Sequence, residues 1–469
     1  MRFKGFIGPE YYLEQIDSRR LVNMYLEKNE MGDAKEGEYG ILRSTPGLRE
    51  LMSLDSPVRG FYMTSRNYPV MVAGSKLYSI ESDFTTTELG TLSTSSGAVD
   101  FSDNGSQLII VDGPNGYIYD ANTGVFTKIT SDGWLGSDFV DFLDGYFVLA
   151  KPDTGIFYIS GLYNGLTYDA LEYALTEANP DYIQAFRVLS QKVYFFGTKT
   201  IQIYYDSGAV DFPIAPMQGN VLNVGIVAKR SLQMVNGQFI WLGSTKDGSG
   251  VVYSMSGFDV QRISTHPLEI AIKSYGDVED ATSYAYQENG HYFYVLNFPN
   301  ADTTWVLDTA TNLWAERQYL RNGIPERHRA QYHVHAYGVH IVSDYATGKV
   351  YAMEDETYTD DGEQIQRIRV APHLESGLAL IRHNSFELDV VVGVGLNDGT
   401  TTQTDPSVEL YYSDDKGKTW KYAGVRALGK IGEYKKRLIW RRLGVARDRV
   451  YKVVMTDPVA YTLLGAEIT

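Results

Sequence analysis

Four histidines, His328, His333, His335 and His340, fall within 13 positions. His333 and His335 are two apart and would share one face of a strand, which is how a metal site can begin. No carboxylate stands at a spacing that completes a ligand set, although Asp344 is near, and the expectation is a polar, partly exposed strand. A second set of polar side chains recurs as Asp-x-x-Thr-(Gly/Asn). It occurs at Asp120, Thr123 and Gly124, at Asp308, Thr311 and Asn312, and at Asp344, Thr347 and Gly348. An aromatic follows each one: Phe126, Trp314 or Tyr351. Such carboxylates resemble metal ligands or catalytic acids, yet the spacing suits a turn. The Asp accepts turn N–H groups, the Thr closes the loop, and Gly or Asn tolerates positive φ before the next strand.

The run Ser413-Asp-Asp-Lys-Gly-Lys-Thr-Trp420 matches the hairpin known as an Asp box, frequent in sialidases and other propellers. Ser413, Asp415 and Gly417 pin the turn while Trp420 packs beneath it, and none of these atoms is catalytic. No phosphate loop, His-Glu-x-x-His, Gly-x-Ser-x-Gly elbow or complete calcium loop is present. The pair Asp360-Asp361 runs into Gly362 and reads as a turn. The expectation is a protein that is not an enzyme, with no catalytic residues, no cofactor and no metal.

The elements that carry these turns repeat. Seven times an apolar or aromatic strand, a short turn and a second strand rich in Tyr, Val or Ile follow one another. The turns fall near Gly74, Gly113, Asp153, Gly197, Gly243, Asn300 and Asp344. Steps of this size suit four-stranded propeller blades of about 40–50 residues. Helical periodicity is scarce, with Tyr168–Thr176 the one segment expected to hold a short helix. The reading is all-β: a propeller of about six or seven blades over 56–373, after an N-terminal arm (1–55) too irregular for a blade. Residues 374–469 alternate in another rhythm and read as a β-sandwich-like platform joined by that arm.

Composition narrows the class further. With 36 Tyr and 45 Gly among 469 residues, many short strands and tight turns are expected. Zero cysteines exclude disulfides, thiolate zinc sites and cysteine nucleophiles. No stretch reaches the roughly 18 apolar residues of a membrane span, and Gly8, Pro9 and Glu10 interrupt what would be a signal peptide. The formal charge of −16 argues against gripping nucleic acid along the whole surface. Residues 416–452 are the exception, with 13 Lys or Arg against Glu433 and Asp448. A basic edge on an acidic body suits docking to an acidic face.

Taken in order, several runs resemble the packaged-DNA stabilisation, or tail nozzle, proteins of short-tailed bacteriophages. They begin with Arg20-Leu-Val-Asn-Met-Tyr25 and Leu42-Arg-Ser-Thr-Pro-Gly-Leu48, and continue through Asn179-Pro-Asp181, Phe196-Gly-Thr-Lys-Thr200 and Trp241-Leu-Gly243. The densest are Arg262-Ile-Ser-Thr265, Gly290-His-Tyr-Phe-Tyr294, Thr304-Trp305 and Trp314-Ala-Glu-Arg317, and Arg437-Leu-Ile-Trp-Arg-Arg-Leu-Gly444 closes the set.

The resemblance implies a structural virion protein, assembled in the host cytoplasm and resident in the tail. It implies a hexameric ring below the portal and its adaptor ring, retaining packaged DNA and conducting double-stranded DNA on ejection. A tail fibre, spike or plug protein would be a further partner. Candidate assembly residues are Arg20, Asn23, Pro46, Gly47, Arg437, Trp440, Arg441 and Arg442, with the three arginines flanking an aromatic anchor. The alternative is a carbohydrate-binding or glycan-hydrolysing, sialidase-like propeller, which the Asp box favours and the lack of a standout carboxylate pair opposes.

Overall fold

The structure, a computed structural model, describes residues 6–8, 11–13, 17–28, 40–176, 181–209, 212–245, 248–377, 379–395 and 405–469. Alternating apolar residues and tight turns produce antiparallel four-stranded units along the chain. Blade 1 runs through Val58–Met63, Pro69–Ala73, Lys76–Ile80 and Thr86–Thr91, and blade 2 through Asp100–Asp103, Gln107–Val111, Gly116–Asp120 and Val125–Lys128. Blade 3 comprises Val140–Leu143, Tyr146–Ala150, Ile156–Ile159 and Tyr173–Leu175. Blade 4 comprises Ile183–Leu189, Lys192–Gly197, Ile201–Asp206 and Ile214–Leu222. Blade 5 is built on Gln233–Val235, Gln238–Thr245, Gly248–Ser256 and Asp259–Arg262, and blade 6 on Thr282–Glu288, His291–Phe298, Thr303–Asp308 and Leu313–Arg321.

Blade 7 takes three strands from Ala330–Ala336, Val339–Asp344 and Lys349–Glu354. Its outer strand is Gly47–Ser53, paired with Glu354 opposite Gly47. The inner strand of blade 7 lies beside that of blade 1, which closes the ring. Apolar clusters fill the spaces between blades, as with Val70, Leu108 and Ile110 between blades 1 and 2. Open sheets thus bury both faces against neighbours.

Two sheets form the sandwich. One contains Met24–Glu27, Ile41–Ser44, Thr462–Ile468, Ser385–Val390 and Leu438–Arg441. The other orders Asp17–Val22, Arg367–Val370, Asp448–Met455, Ser407–Ser413 and Lys421–Ala427. Phe386, Leu410, Trp440, Tyr451 and Val453 fill the space between them. The second sheet continues through Asp17–Val22 into blade 6, where Val22 pairs in parallel with Glu316.

Several expectations need correction. The arm is regular where it meets partners: Asp17–Val22 and Met24–Glu27 enter the two sandwich sheets, and Gly47–Ser53 completes blade 7. Asp17–Val22 and Gly47–Ser53 escape a repeat search because their partners lie some 300 residues away, and Met24–Glu27 because its hairpin with Ile41–Ser44 belongs to no blade. The sandwich likewise starts before residue 374, since Arg367–Val370 pairs with Asp448–Met455. Tyr168–Thr176 is no helix; its end is the outer strand of blade 3, with Tyr173 opposite Tyr158. A helix lies instead at His266–Ser274, between blades 5 and 6. Six of the seven predicted turns join the second and third strands of successive blades, whereas Gly243 lies within a strand.

Candidate functional site

The Asp turns form as their chemistry requires. The Asp120 carboxylate accepts from the backbone N–H groups of Asn122 and Thr123 at 2.9 and 3.0 Å, which holds it below the usual carboxylate range. Asp308 accepts from Ala310 N and from the Thr311 hydroxyl, and also meets His291 Nδ1 at 2.8 Å. Asp344 stands in a different hairpin, between the second and third strands of blade 7. It accepts from Ala346 N at 2.7 Å and Thr347 N at 3.2 Å. Its other oxygen is buried against the Arg329 guanidinium and the Tyr351 hydroxyl. That turn is also an internal ion pair. Gly348 follows it because a Cβ there would fall 2.0 Å from the Leu54 carbonyl oxygen.

The Asp box pins the hairpin between Ser407–Ser413 and Lys421–Ala427. Ser413 Oγ donates to Asp415 at 2.6 Å and accepts from Gly417 N at 2.9 Å, while Thr419 N and Oγ1 donate to Asp415. Those hydroxyl and amide donors hold the Asp415 carboxyl well below its ordinary range. Trp420 packs on Val22, Ile368 and Val450, and the Lys452 ammonium lies 4.5 Å from its ring centroid.

Of the histidines, His333 Nε2 and His340 Nδ1 share a 2.9 Å hydrogen bond, and the His335 ring packs at a tilt against His340, 4.8 Å between centroids. Burial and the neighbouring imidazoles push His333 down to about 3. His328 is buried and also held down by enclosure. Among the described residues no group of three His, Asp or Glu has a geometry for a metal ion.

The arm residues meet at the seam between propeller and sandwich. Asn23, buried at φ 53°, turns the chain from one sandwich sheet to the other. Its side chain donates to the carbonyls of Gln318 and Gln366 and accepts from Gln318 N at 2.8 Å. Arg20 makes a two-pronged pair with Glu316, at 2.5 Å for each prong. Pro46 and Gly47 are buried, with Gly47 N donating to Thr357 O. Asn23, Pro46 and Gly47 are therefore buried within the chain, where Asn23 and Gly47 are hydrogen-bonded. Beside this seam a cleft of about 410 Å³ is walled by Pro267 and Leu268 of the helix, Trp305 and Trp314 of blade 6, and Trp420.

A second cavity, about 310 Å³, lies on the propeller axis and takes residues from the inner part of every blade. Arg187 of blade 4 grips Asp100 of blade 2 through two hydrogen bonds of 2.7 and 3.0 Å. Burial raises the neighbouring Asp141 carboxyl. Arg187 and Arg230 both lie over the Phe139 ring, at 5.1 and 4.3 Å.

The basic segment occupies one edge of the sandwich. Arg437 pairs with Glu387 at 2.6 Å, while Arg441 and Arg442 are exposed. Trp440 differs from expectation: it is 1% exposed, donates to Gly424 O and packs edge-on to Phe386. It anchors the sandwich core, and strand alternation explains why its neighbour Arg441 faces outward.

Two groups escaped sequence reasoning. Arg262, Ser264 and Glu269 lock the entry of the helix through hydrogen bonds of 2.6 Å. Thr265, Pro267 and Glu269 carried a readable helix-start signal. Beneath the seam, Arg317, Asp360 and Arg367 are buried, with Asp360 Oδ1 and nitrogens of both arginines lacking hydrogen-bond partners. Burial pushes the Asp360 carboxyl up to about 7 and Arg367 down to about 10. No local signal marks them, because blade 6, the loop after blade 7 and the sandwich bring them together.

Comparison with known proteins accords with this division. The family described as "Bacteriophage P22 Gp10, beta-propeller" matches residues 15–358, and "Bacteriophage P22 Gp10, beta-sandwich" matches residues 366–469. No curated protein sequence matches the chain. A chain of the mitotic checkpoint complex is similar at 11% identity and TM-score 0.43, over 71% of this chain and 99% of that one. The Cps50 (Swd1) propeller of Myceliophteria thermophila is similar at 8% identity and TM-score 0.43, over 65% and 98%. The WD40 propeller of Doa1 is similar at 14% identity and TM-score 0.39, over 65% and 96%. Propeller and sandwich are matched in turn by the two parts of one family, so the chain belongs to the bacteriophage P22 Gp10 family and is a phage tail structural protein.

Proposed function

We propose that this chain builds the tail nozzle of a short-tailed phage: a hexameric ring below the portal and adaptor that retains packaged DNA and conducts it during ejection. It works without enzymatic activity and meets a fibre, spike or plug protein at its far end. One observation carries the reading, the separation of charge between an exposed basic sandwich edge and an acidic body. Unlike faces of this kind let identical subunits associate in a fixed register. The axial cavity of the propeller supports a conduit between subunits rather than through them. At about 310 Å³, crossed by the Asp100–Arg187 pair, it does not admit a duplex whose major groove alone is about 12 Å wide. The carbohydrate reading gains little from the cleft. Trp305 and Trp314 are at most 8% exposed, and their indole N–H groups already donate to Tyr275 and Ile263.

Electron microscopy of the purified protein on adaptor-bearing particles tests this function. Six-fold rings continuing the channel are expected. Particles that bind single copies, or a purified protein that turns over glycans, would defeat it.

A further inference from the structure

Blade 3 carries a surface that its place in the propeller does not explain. The loop before its outer strand exposes Leu162, Tyr163 and Leu171, and the strand itself exposes Tyr173 and Leu175. Leu171 is 84% exposed, although clusters of large apolar side chains on a surface mark interaction sites. Of the seven acids between residues 130 and 176, Asp138 pairs with Lys229 and Asp141 lines the axial cavity, which leaves Asp132, Asp144, Asp153, Asp169 and Glu172 against one base, Lys151. Asp144, Asp153 and Asp169 are exposed and have no ion-pair partner among the described residues. The surface is therefore apolar at its centre and acidic around it.

The basic sandwich edge has the inverse character. Tyr422, Val425, Ile431, Tyr434 and Val445 are exposed there among Lys430, Lys435, Arg441 and Arg442. The two surfaces cannot meet within one chain. The sandwich is bonded to blade 6 through Asp17–Val22, and blade 3 stands three blades away in one direction and four in the other.

We infer that the rim of blade 3 is the docking face for the basic sandwich edge of a second copy of this chain. The inference rests on the proposed ring and names the two faces that would join its subunits. Apolar side chains supply the buried centre of such a contact, and the opposed charges set its register. Because the faces are unlike, each copy keeps one of each open for the next, which is the condition for a ring or filament rather than a closed pair.

The absence of cysteine makes the contact directly testable. Leu171→Cys and Tyr434→Cys are placed on separate chains at exposed positions and treated with a short bis-maleimide. Cross-linked dimers are expected in the mixture, with each variant alone staying largely uncoupled. In parallel, Asp169→Lys with Glu172→Lys should lower association at least tenfold in sedimentation velocity. Adding Lys435→Glu and Arg442→Glu to the same chain should restore it. Wild-type rings with no mixed cross-link, or an acidic-face variant that assembles normally, would overturn this contact and leave the ring intact. A wild-type chain that stays monomeric, alone and on adaptor-bearing particles, would remove the ring and the contact together.

Discussion

Arg187 reaches across the propeller axis to Asp100, so that blade 4 holds blade 2 directly while blade 3 lies between them. The pair is a strut across the middle of the disc, and most of it is enclosed.

Removing one end of that strut leaves a guanidinium enclosed without its partner. Asp100→Asn is expected to lower unfolding free energy by about 2 kcal/mol, less than the roughly 3–5 kcal/mol of a fully buried pair because Arg187 keeps some solvent. Urea denaturation monitored by tryptophan fluorescence measures it. An unchanged midpoint would show that solvent already screens the pair.

Blade 7 depends on a close backbone approach. The Leu54 N–H donates to Gly348 O at 2.9 Å, and a Cβ on Gly348 would collide with the Leu54 carbonyl. Gly348→Ala should cost roughly 1–3 kcal/mol by forcing the backbone apart. Hydrogen exchange should quicken first in Gly47–Ser53 and Lys349–Glu354, and uniform protection would contradict the closure described.

The group beneath the seam predicts a pH effect of unusual sign. Asp360 is raised by burial from its ordinary 3.8 to about 7, and Glu288 is also pushed up to about 7 by burial and by Asp355. Between those limits the folded chain binds more protons than the unfolded one, so these groups make stability fall as pH rises from about 4 to about 7. Asp360→Asn should flatten part of that fall. Thermal melts at pH 5 and pH 8 compare the two proteins, and parallel profiles would show that Asp360 ionises freely in the fold.

Trp440 and its arginine neighbours should separate cleanly. Trp440→Ala is expected to cost about 3–5 kcal/mol by emptying the sandwich core, while Arg441→Glu with Arg442→Glu leaves melting nearly unchanged and prevents assembly. Size-exclusion chromatography and calorimetry report the two effects. A double variant that assembles normally but changes only DNA retention would place these arginines on the channel.

The legible part of this protein is the part built from neighbours in sequence. Blade hairpins announce themselves because their turn residues and both strands lie within a few positions, as at Asp120 and Thr123. The Asp box is readable for the same reason. Asn23 and Gly47 stood out within their runs, yet their jobs did not, since Asn23 bonds to Gln318 and Gln366 and Gly47 pairs with Glu354. The burial of Trp440 is not legible, because an aromatic among arginines has the same composition in a core strand as at an interface. The burial of Asp360 and Arg367 had no sequence signal at all, because it exists only where blades and sandwich converge.

Both ends of the chain close the molecule: strands between residues 17 and 53 complete the sandwich and blade 7, with partners such as Glu316 lying 296 positions beyond Arg20. During synthesis Asp17–Val22 and Gly47–Ser53 leave the ribosome first and wait for most of the chain before they can join their sheets, whereas Met24–Glu27 can pair early with Ile41–Ser44. Contacts of such separation are slow to form, so middle blades would take shape early while blade 7 and the sandwich mature only after release. The basic sandwich edge is completed in that last step. A copy whose synthesis is unfinished would therefore lack a completed basic edge to offer in the proposed ring.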